Sequence, residues 1–173
     1  MIRVFGQEEL VSFLENGGVP AANLISISNP PDKLHPHYAN IPPIFMTSYV
    51  NILRLQFHDI FKFKWNRTPP QEKHADQALA FLVKYGFDID IHCWAGVSRS
   101  TAVAFALLYM MCDSEKEAAK ALCEVRNVAA PNPLLVKHFD RILKTDLSGQ
   151  LQEIVDANME RIRAYLDKDL EEL

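Results

Sequence analysis

Residues 87–112 read FDIDIHCWAGVSRSTAVAFALLYMMC, and the segment changes character twice. Phe87, Ile89 and Ile91 alternate with Asp88 and Asp90, the period of two of a strand, so Phe87–His92 is expected to be a short strand. From Thr101 to Cys112 the chain is apolar almost throughout, which predicts a helix buried on every side. Only Cys93–Arg99 separates the two. A strand that runs through a short loop into a helix N-terminus is the kind of junction at which α/β sheets place their ligands.

Working outward, punctuation residues mark the other elements. Downstream, Ser114 with Glu117 forms a capping-box pattern that opens a helix over about Glu115–Arg126. Asn132 followed by Pro133 pairs an N-cap with a proline at the first helical position and opens Leu134–Lys144. From Gln150 the tail carries Leu151, Ile154, Val155, Asn158, Ile162 and Leu166 on one helical stripe. Upstream, Thr68 and Pro69 repeat the N-cap pairing and predict a helix over Pro69–Tyr85, stopped by Gly86. Val50–Phe57, Leu24–Ser28 and Ile2–Phe5 read as strands, and Gln7–Asn16 as a helix ending at Gly17–Gly18. A Pro- and His-rich loop runs to about Pro43. Strand and helix alternate in the first half and helices alone fill the second, which predicts an α/β fold with a mostly parallel central sheet and helices on both faces. The expected organisation is a single domain over residues 1–173, with 150–173 an appended amphipathic helix.

Bulk composition bounds the function. The 173 residues carry 18 Lys and Arg against 22 Asp and Glu, a net charge of -4, so no global basic field draws nucleic acid or anionic lipid. Neither is expected as a partner. The longest apolar run, Ala102–Cys112, is too short to span a bilayer, and MIRVFGQEEL lacks a secretory signal, so the expected compartment is the cytoplasm. The three cysteines, Cys93, Cys112 and Cys123, show no CxxC spacing and read as free thiols, the last two as inert core residues.

Cys93 stands in a different context. Successive amides of a short loop at a helix N-terminus, together with the helix dipole, favour an anion there. Gly96 lets the backbone bend tightly, and the planar Arg99 fork matches two oxygens of a phosphate. The same positive surroundings stabilise a thiolate at Cys93, and Ser100 is placed to donate a hydrogen bond to that sulfur. The pattern supports attack on a phosphoryl group through a cysteinyl-phosphate intermediate. The bland alternative is a buried Cys and a surface Arg that fall close together by chance.

HCWAGVSRS, residues 92–100, closely resembles the signature loop of the cysteine-dependent protein tyrosine phosphatases, in the HCxAGxSRS form of the compact dual-specificity branch. The resemblance implies Cys93 as nucleophile, the amides of Trp94, Ala95, Gly96, Val97 and Ser98 with Arg99 as the phosphate cradle, His92 as a buried support for the thiolate, and Ser100 as helper in the second step. It also implies that neither a metal nor another cofactor is required. RNVAAPNP, residues 126–133, is similar to the R…PN segment that follows in the same branch. The branch usually has a purely apolar strand before its histidine; here Asp88 and Asp90 interrupt it, and Asp90 has no evident partner in the sequence.

A phosphatase of this kind supplies the leaving oxygen with a proton from an Asp on a loop. Asp59, at the end of a predicted strand in FHDI, is similar to the family's acid loop in position, whereas Glu72 and Asp76 read as solvated helix charges. Asp59 is therefore the expected general acid; the alternative is that it caps the following loop or pairs with an arginine. After it, Phe61, Phe63 and Trp65 interleave with Lys62, Lys64 and Arg67. Either this patch rims the cleft and receives substrate, or its apolar members anchor the loop while the lysines face water. The tail from Asp146 holds eight carboxylates against three bases and reads as a solvated helix on the core.

The expected function is hydrolysis of phosphotyrosine, with or without phosphoserine and phosphothreonine, in a phosphorylated protein substrate. Two alternatives stand beside it. One keeps the chemistry and changes the substrate to a phosphoinositide, inositol phosphate or RNA end, although no lysine lies between Cys93 and Arg99. The other is a catalytically weak phosphate-binding module. The oligomeric state is not legible in the sequence.

Overall fold

The computed structural model describes residues 1–31, 46–62 and 64–171, and for residues 166 and 168–171 the backbone alone. The expected loop up to Pro43, Phe63 and the side chain of Leu166 therefore fall wholly or largely outside the described residues. Four strands, β1 (Ile2–Gly6), β2 (Asn23–Ser28), β3 (Asn51–Gln56) and β4 (Ile89–Cys93), form one sheet in the order β1-β4-β2-β3, with every neighbouring pair parallel. Six α-helices are described: α1 (Gln7–Glu15), α2 (Glu72–Tyr85), α3 (Arg99–Cys112), α4 (Glu115–Val125), α5 (Pro133–Leu143) and α6 (Leu151–Glu171). The α/β sheet expected from the sequence is present, with helices on both faces.

Alternation along β4 sorts its side chains between those faces. Ile89, Ile91 and Cys93 join the main core with Ile25, Ile27 and Leu55 of the neighbouring strands and Phe105, Leu122 and Phe139 of α3, α4 and α5. On the other face Leu10 of α1 packs with Leu24, Met46 and Tyr49. The two central strands are buried along their whole length, as parallel strands covered on both faces must be. Truncating a fully buried ring such as Phe105 to Ala would cost about 3–5 kcal/mol.

Asp90, which the sequence leaves without a partner, lies at the end of β4 away from the Cys93 loop. It is fully buried and faces Arg3, its register partner on β1. Its carboxylate accepts from Arg3 Nε at 2.7 Å and Nη2 at 3.0 Å, from the Ala21 amide at 3.0 Å and from the Tyr49 hydroxyl at 3.0 Å. Burial and the Asp90 charge push the Tyr49 hydroxyl well above its ordinary pKa, so it remains a donor. The charge is matched where it stands and belongs to the framework.

Two local expectations need correction. Helix α2 starts at Glu72, with Gln71 as N-cap, and not at Pro69. Thr68 is already engaged: its carbonyl accepts from the His58 amide at 2.8 Å and its amide donates to His58 Nδ1 at 2.9 Å. Pro70 also disfavours helical geometry at Pro69, so the turn cannot begin there. The α3 helix is buried only from Arg99 to Leu108; Met110, Met111 and Cys112 emerge at the surface, so Cys112 is not a core residue. Cys123 is half-buried against the main core.

Candidate active site

The loop between β4 and α3 is held from outside by its carbonyls. Trp94 O accepts from the Gln7 amide at 2.8 Å, and Ala95 O from Tyr165 Oη at 3.0 Å and Arg126 Nη2 at 3.3 Å. Gly96 O accepts from Arg126 Nε at 3.0 Å, Val97 O from the Ala130 amide at 2.9 Å, and Ser98 O from the Asn132 amide at 3.1 Å. In a trans peptide the N–H points opposite to the preceding carbonyl. With these five carbonyls turned outward and no cis bond in the described chain, the amides of Ala95, Gly96, Val97, Ser98 and Arg99 turn inward. Successive amides turned to the inner side of one short loop make a concavity for an anion.

Gly96 is required there twice over. Its φ of +69° lies in the left-handed region, and a Cβ would stand 2.4 Å from the Gly6 nitrogen and 2.5 Å from the Phe5 carbonyl carbon. Both obstacles are backbone of β1 and its junction with α1, which cannot swing aside.

Cys93 closes the floor at 2% exposure, with Sγ 3.1 Å from Ser100 Oγ. Arg99 is buried, its Nη1 donating to Asn29 Oδ1 at 2.9 Å and to Phe57 O at 3.0 Å. The guanidinium is thereby fixed at the C-terminal ends of β2 and β3. His92 points to the opposite face from Cys93 and pairs through Nε2 with Ser26 Oγ at 2.7 Å. Burial lowers its pKa to about 4, with Arg99 adding to the effect, so the imidazole is neutral at pH 7.

Asp59 reaches the same cavity from the loop after β3. Its Oδ1 accepts from Ser98 Oγ and from Asn132 Nδ2, each at 2.7 Å, while Oδ2 lies 4.0 Å from Arg99 Nε. Asn132 also donates to Ile60 O at 3.4 Å and accepts, through Oδ1, the amides of Leu134 and Leu135 as N-cap of α5. One asparagine thus ties the Asp59 loop, the Cys93 loop and α5 together. The cavity has a volume of about 500 Å³, and its lining includes Asn29, Asp59, Lys64, Arg67, Trp94 and Arg99.

Solved structures share this arrangement of elements. PTPMT1 superposes with a TM-score of 0.57 at 18% identity, over 88% of this chain and 95% of that one. Human DUSP28 gives 0.56 at 18% identity over 83% and 91% of the two chains. The fold is that of the dual-specificity phosphatases. DUSP15 gives 0.51 at 20% identity over 88% and 90%. Compared by sequence, the chain matches no family model and no curated protein.

On this dual-specificity phosphatase fold the residues expected from the sequence, Cys93, Arg99, Ser100, Asp59 and the loop Trp94–Ser98, come together around one cavity, with His92 behind it. Several groups escaped the sequence. Asn29 and Ser26 follow or lie in β2 and carry no local signal. Asn132 is visible as a helix cap, yet its amide nitrogen serves Asp59. Arg126, singled out only as part of RNVAAPNP, forms a bridge: it binds the loop carbonyls, pairs with Glu9 at 2.8 Å and lies 5.3 Å from the Tyr165 ring centroid. Tyr165 and Ile162 place α6 directly behind the Cys93–Arg99 loop, where Ile162 packs with Val97 and Val128. Among the described residues no cluster of three or more His, Cys, Asp or Glu is placed to hold a metal, and no helix is long and apolar enough to cross a membrane.

Proposed function

We propose that the protein is a cysteine-dependent phosphatase that hydrolyses phosphomonoesters on proteins, phosphotyrosine foremost. The observation that carries this is that Cys93 and Arg99 line one cavity at a loop whose carbonyls are bound on its outer side, with Ser100 Oγ 3.1 Å from Cys93 Sγ. Amides and guanidinium offset the charge of a thiolate and of the phosphoryl oxygens alike.

In the first step Sγ attacks phosphorus, the ester oxygen leaves, and Asp59 supplies its proton. The ester bond is thereby exchanged for a phosphorus–sulfur bond. In the second step the Asp59 carboxylate takes a proton from water, which attacks phosphorus, and the thiolate departs with Ser100 donating to it. Arg99 and the fixed amides follow the oxygens through both transition states without reorganising, which is the main source of rate in phosphoryl transfer. Ser98 and Asn132 occupy Oδ1 of Asp59, so Oδ2 is the oxygen left to carry the transferred proton.

The test is hydrolysis of para-nitrophenyl phosphate by metal-free protein. Release of nitrophenol that orthovanadate inhibits and Cys93→Ser abolishes is the expected result; a rate equal to that of Cys93→Ser would overturn the proposal. A phosphoinositide substrate is the second reading, favoured by the cations Lys64 and Arg67 in the cavity lining and by the structure of PTPMT1 in complex with PI(5)P.

A further inference from the structure

The segment after Asp59 joins aromatic residues to cations, and of its described aromatic residues neither Phe61 nor Trp65 is packed inward. Phe61 and Trp65 are 62% and 81% exposed, and Lys64 and Arg67, exposed as well, line the cavity. The backbone explains how. Pairing between His58 and Thr68 closes the loop at its base, and the Arg67 amide bonds back to Lys64 O at 3.2 Å across Asn66, whose φ is +60°. This tight return places both cations in the lining of the cavity that Asp59 also lines and leaves Trp65 exposed.

The charge balance is notable for an acidic protein. The cavity lining holds Lys64, Arg67 and Arg99 against a single carboxylate, Asp59. Arg99 is engaged with Asn29, Phe57 and Asp59, while among the described residues neither Lys64 nor Arg67 has a carboxylate partner. The phosphoryl site proper is complete without them.

We propose that Lys64 and Arg67 form a second anion subsite, which holds a carboxylate or second phosphate on the polypeptide flanking the phosphorylated residue, with Trp65 and Phe61 covering the adjoining segment. The inference deepens the phosphoprotein phosphatase reading and rests on it. Polypeptide fits better than a lipid surface, because three cations in Phe61–Arg67 fall short of the four to eight of a typical lipid-binding cluster and the chain as a whole carries -4.

The test uses Cys93→Ser protein, so that binding is read apart from turnover, and three labelled phosphotyrosyl peptides of equal length. One has neutral flanks, one has Glu flanks and one a second phosphotyrosine. The two anionic peptides should bind about 3- to 20-fold tighter than the neutral one at low salt. That advantage should shrink in about 0.5 M salt and vanish when Lys64→Ala and Arg67→Ala are added. Whether the Glu-flanked peptide matches the doubly phosphorylated one tells a carboxylate from a phosphate as the anion. Equal affinity for all three, binding of none, or an advantage that survives the double substitution would each overturn the subsite. So would tighter binding to phosphatidylcholine vesicles with about 5% phosphatidylinositol phosphate than to any peptide. Wild-type protein that shows the binding pattern but releases no phosphate would overturn the proposed function and leave the subsite standing.

Discussion

Two loops meet at the cavity, and they are held in opposite ways. The Cys93–Arg99 loop is gripped along its length: five successive carbonyls are bound by groups from the start of α1, from Arg126, from the segment before α5 and from α6. The Asp59 loop is tied at its base by His58 and Thr68 and near its start by Asn132, and its outer residues face solvent. On the proposed function, the difference follows from what each loop would have to do. A cradle of amides works only if every dipole is already aimed at the oxygens, whereas a loop that carries one acid and contacts varied substrate needs only its acid fixed.

Substitutions that attack the two loops should separate these modes of support. Gly96→Ala is the most severe: the left-handed φ and the clash with β1 backbone should destabilise the fold by about 2–5 kcal/mol and abolish both turnover and orthovanadate binding. Thermal melting with and without vanadate reads both effects. Asp59→Asn keeps the carbonyl oxygen that Ser98 and Asn132 bind but cannot give up a proton. Turnover of an alkyl phosphate, a poor leaving group, should fall by about 10²-fold or more, with vanadate affinity retained. An unchanged rate would assign the proton to another group.

Arg126→Lys tests the grip itself, since a lysine cannot span two carbonyls and Glu9 at once. A fall of about 10- to 100-fold in kcat/KM, with weaker vanadate inhibition, is expected. His92 gives a pH signature. Its folded pKa of about 4 lies below the ordinary 6.5, so between those values the unfolded chain binds more protons. Stability should therefore be complete above about pH 6.5 and decline as pH falls towards 4. Melting temperatures across that range check the sign. Tyr165→Phe is the mildest change: Ala95 O keeps Arg126, and the loss of one donor should lower kcat/KM only about 2- to 5-fold.

The signature loop was legible because its chemistry is local. HCWAGVSRS places a thiol, a glycine turn and a guanidinium within nine residues, and a strand before it and a helix after it suffice to bring them together. Asp59 was legible as a candidate through its place after a strand. Asn29, Glu9 and Tyr165 were not, because each acts on a residue at least 70 positions away, and nothing in their neighbours announces a hydrogen bond across the fold. Asp90 shows the same limit from the other side: an acid in a strand looks anomalous until β1 is laid beside β4 and Arg3 stands opposite.

The amino-acid sequence by itself determined the α/β order of elements and the position of the Cys93–Arg99 loop between a strand and a helix, because short-range periodicity, caps and one compact motif encode them. Tertiary structure alone decided which distant groups bind the loop's carbonyls, that α6 stands behind that loop, and that Lys64 and Arg67 line the cavity while Trp65 lies outside its lining. Those outcomes depend on where separate segments of chain come to rest against one another, and hydrogen-bond partners found only after folding leave no periodic trace in the order of residues.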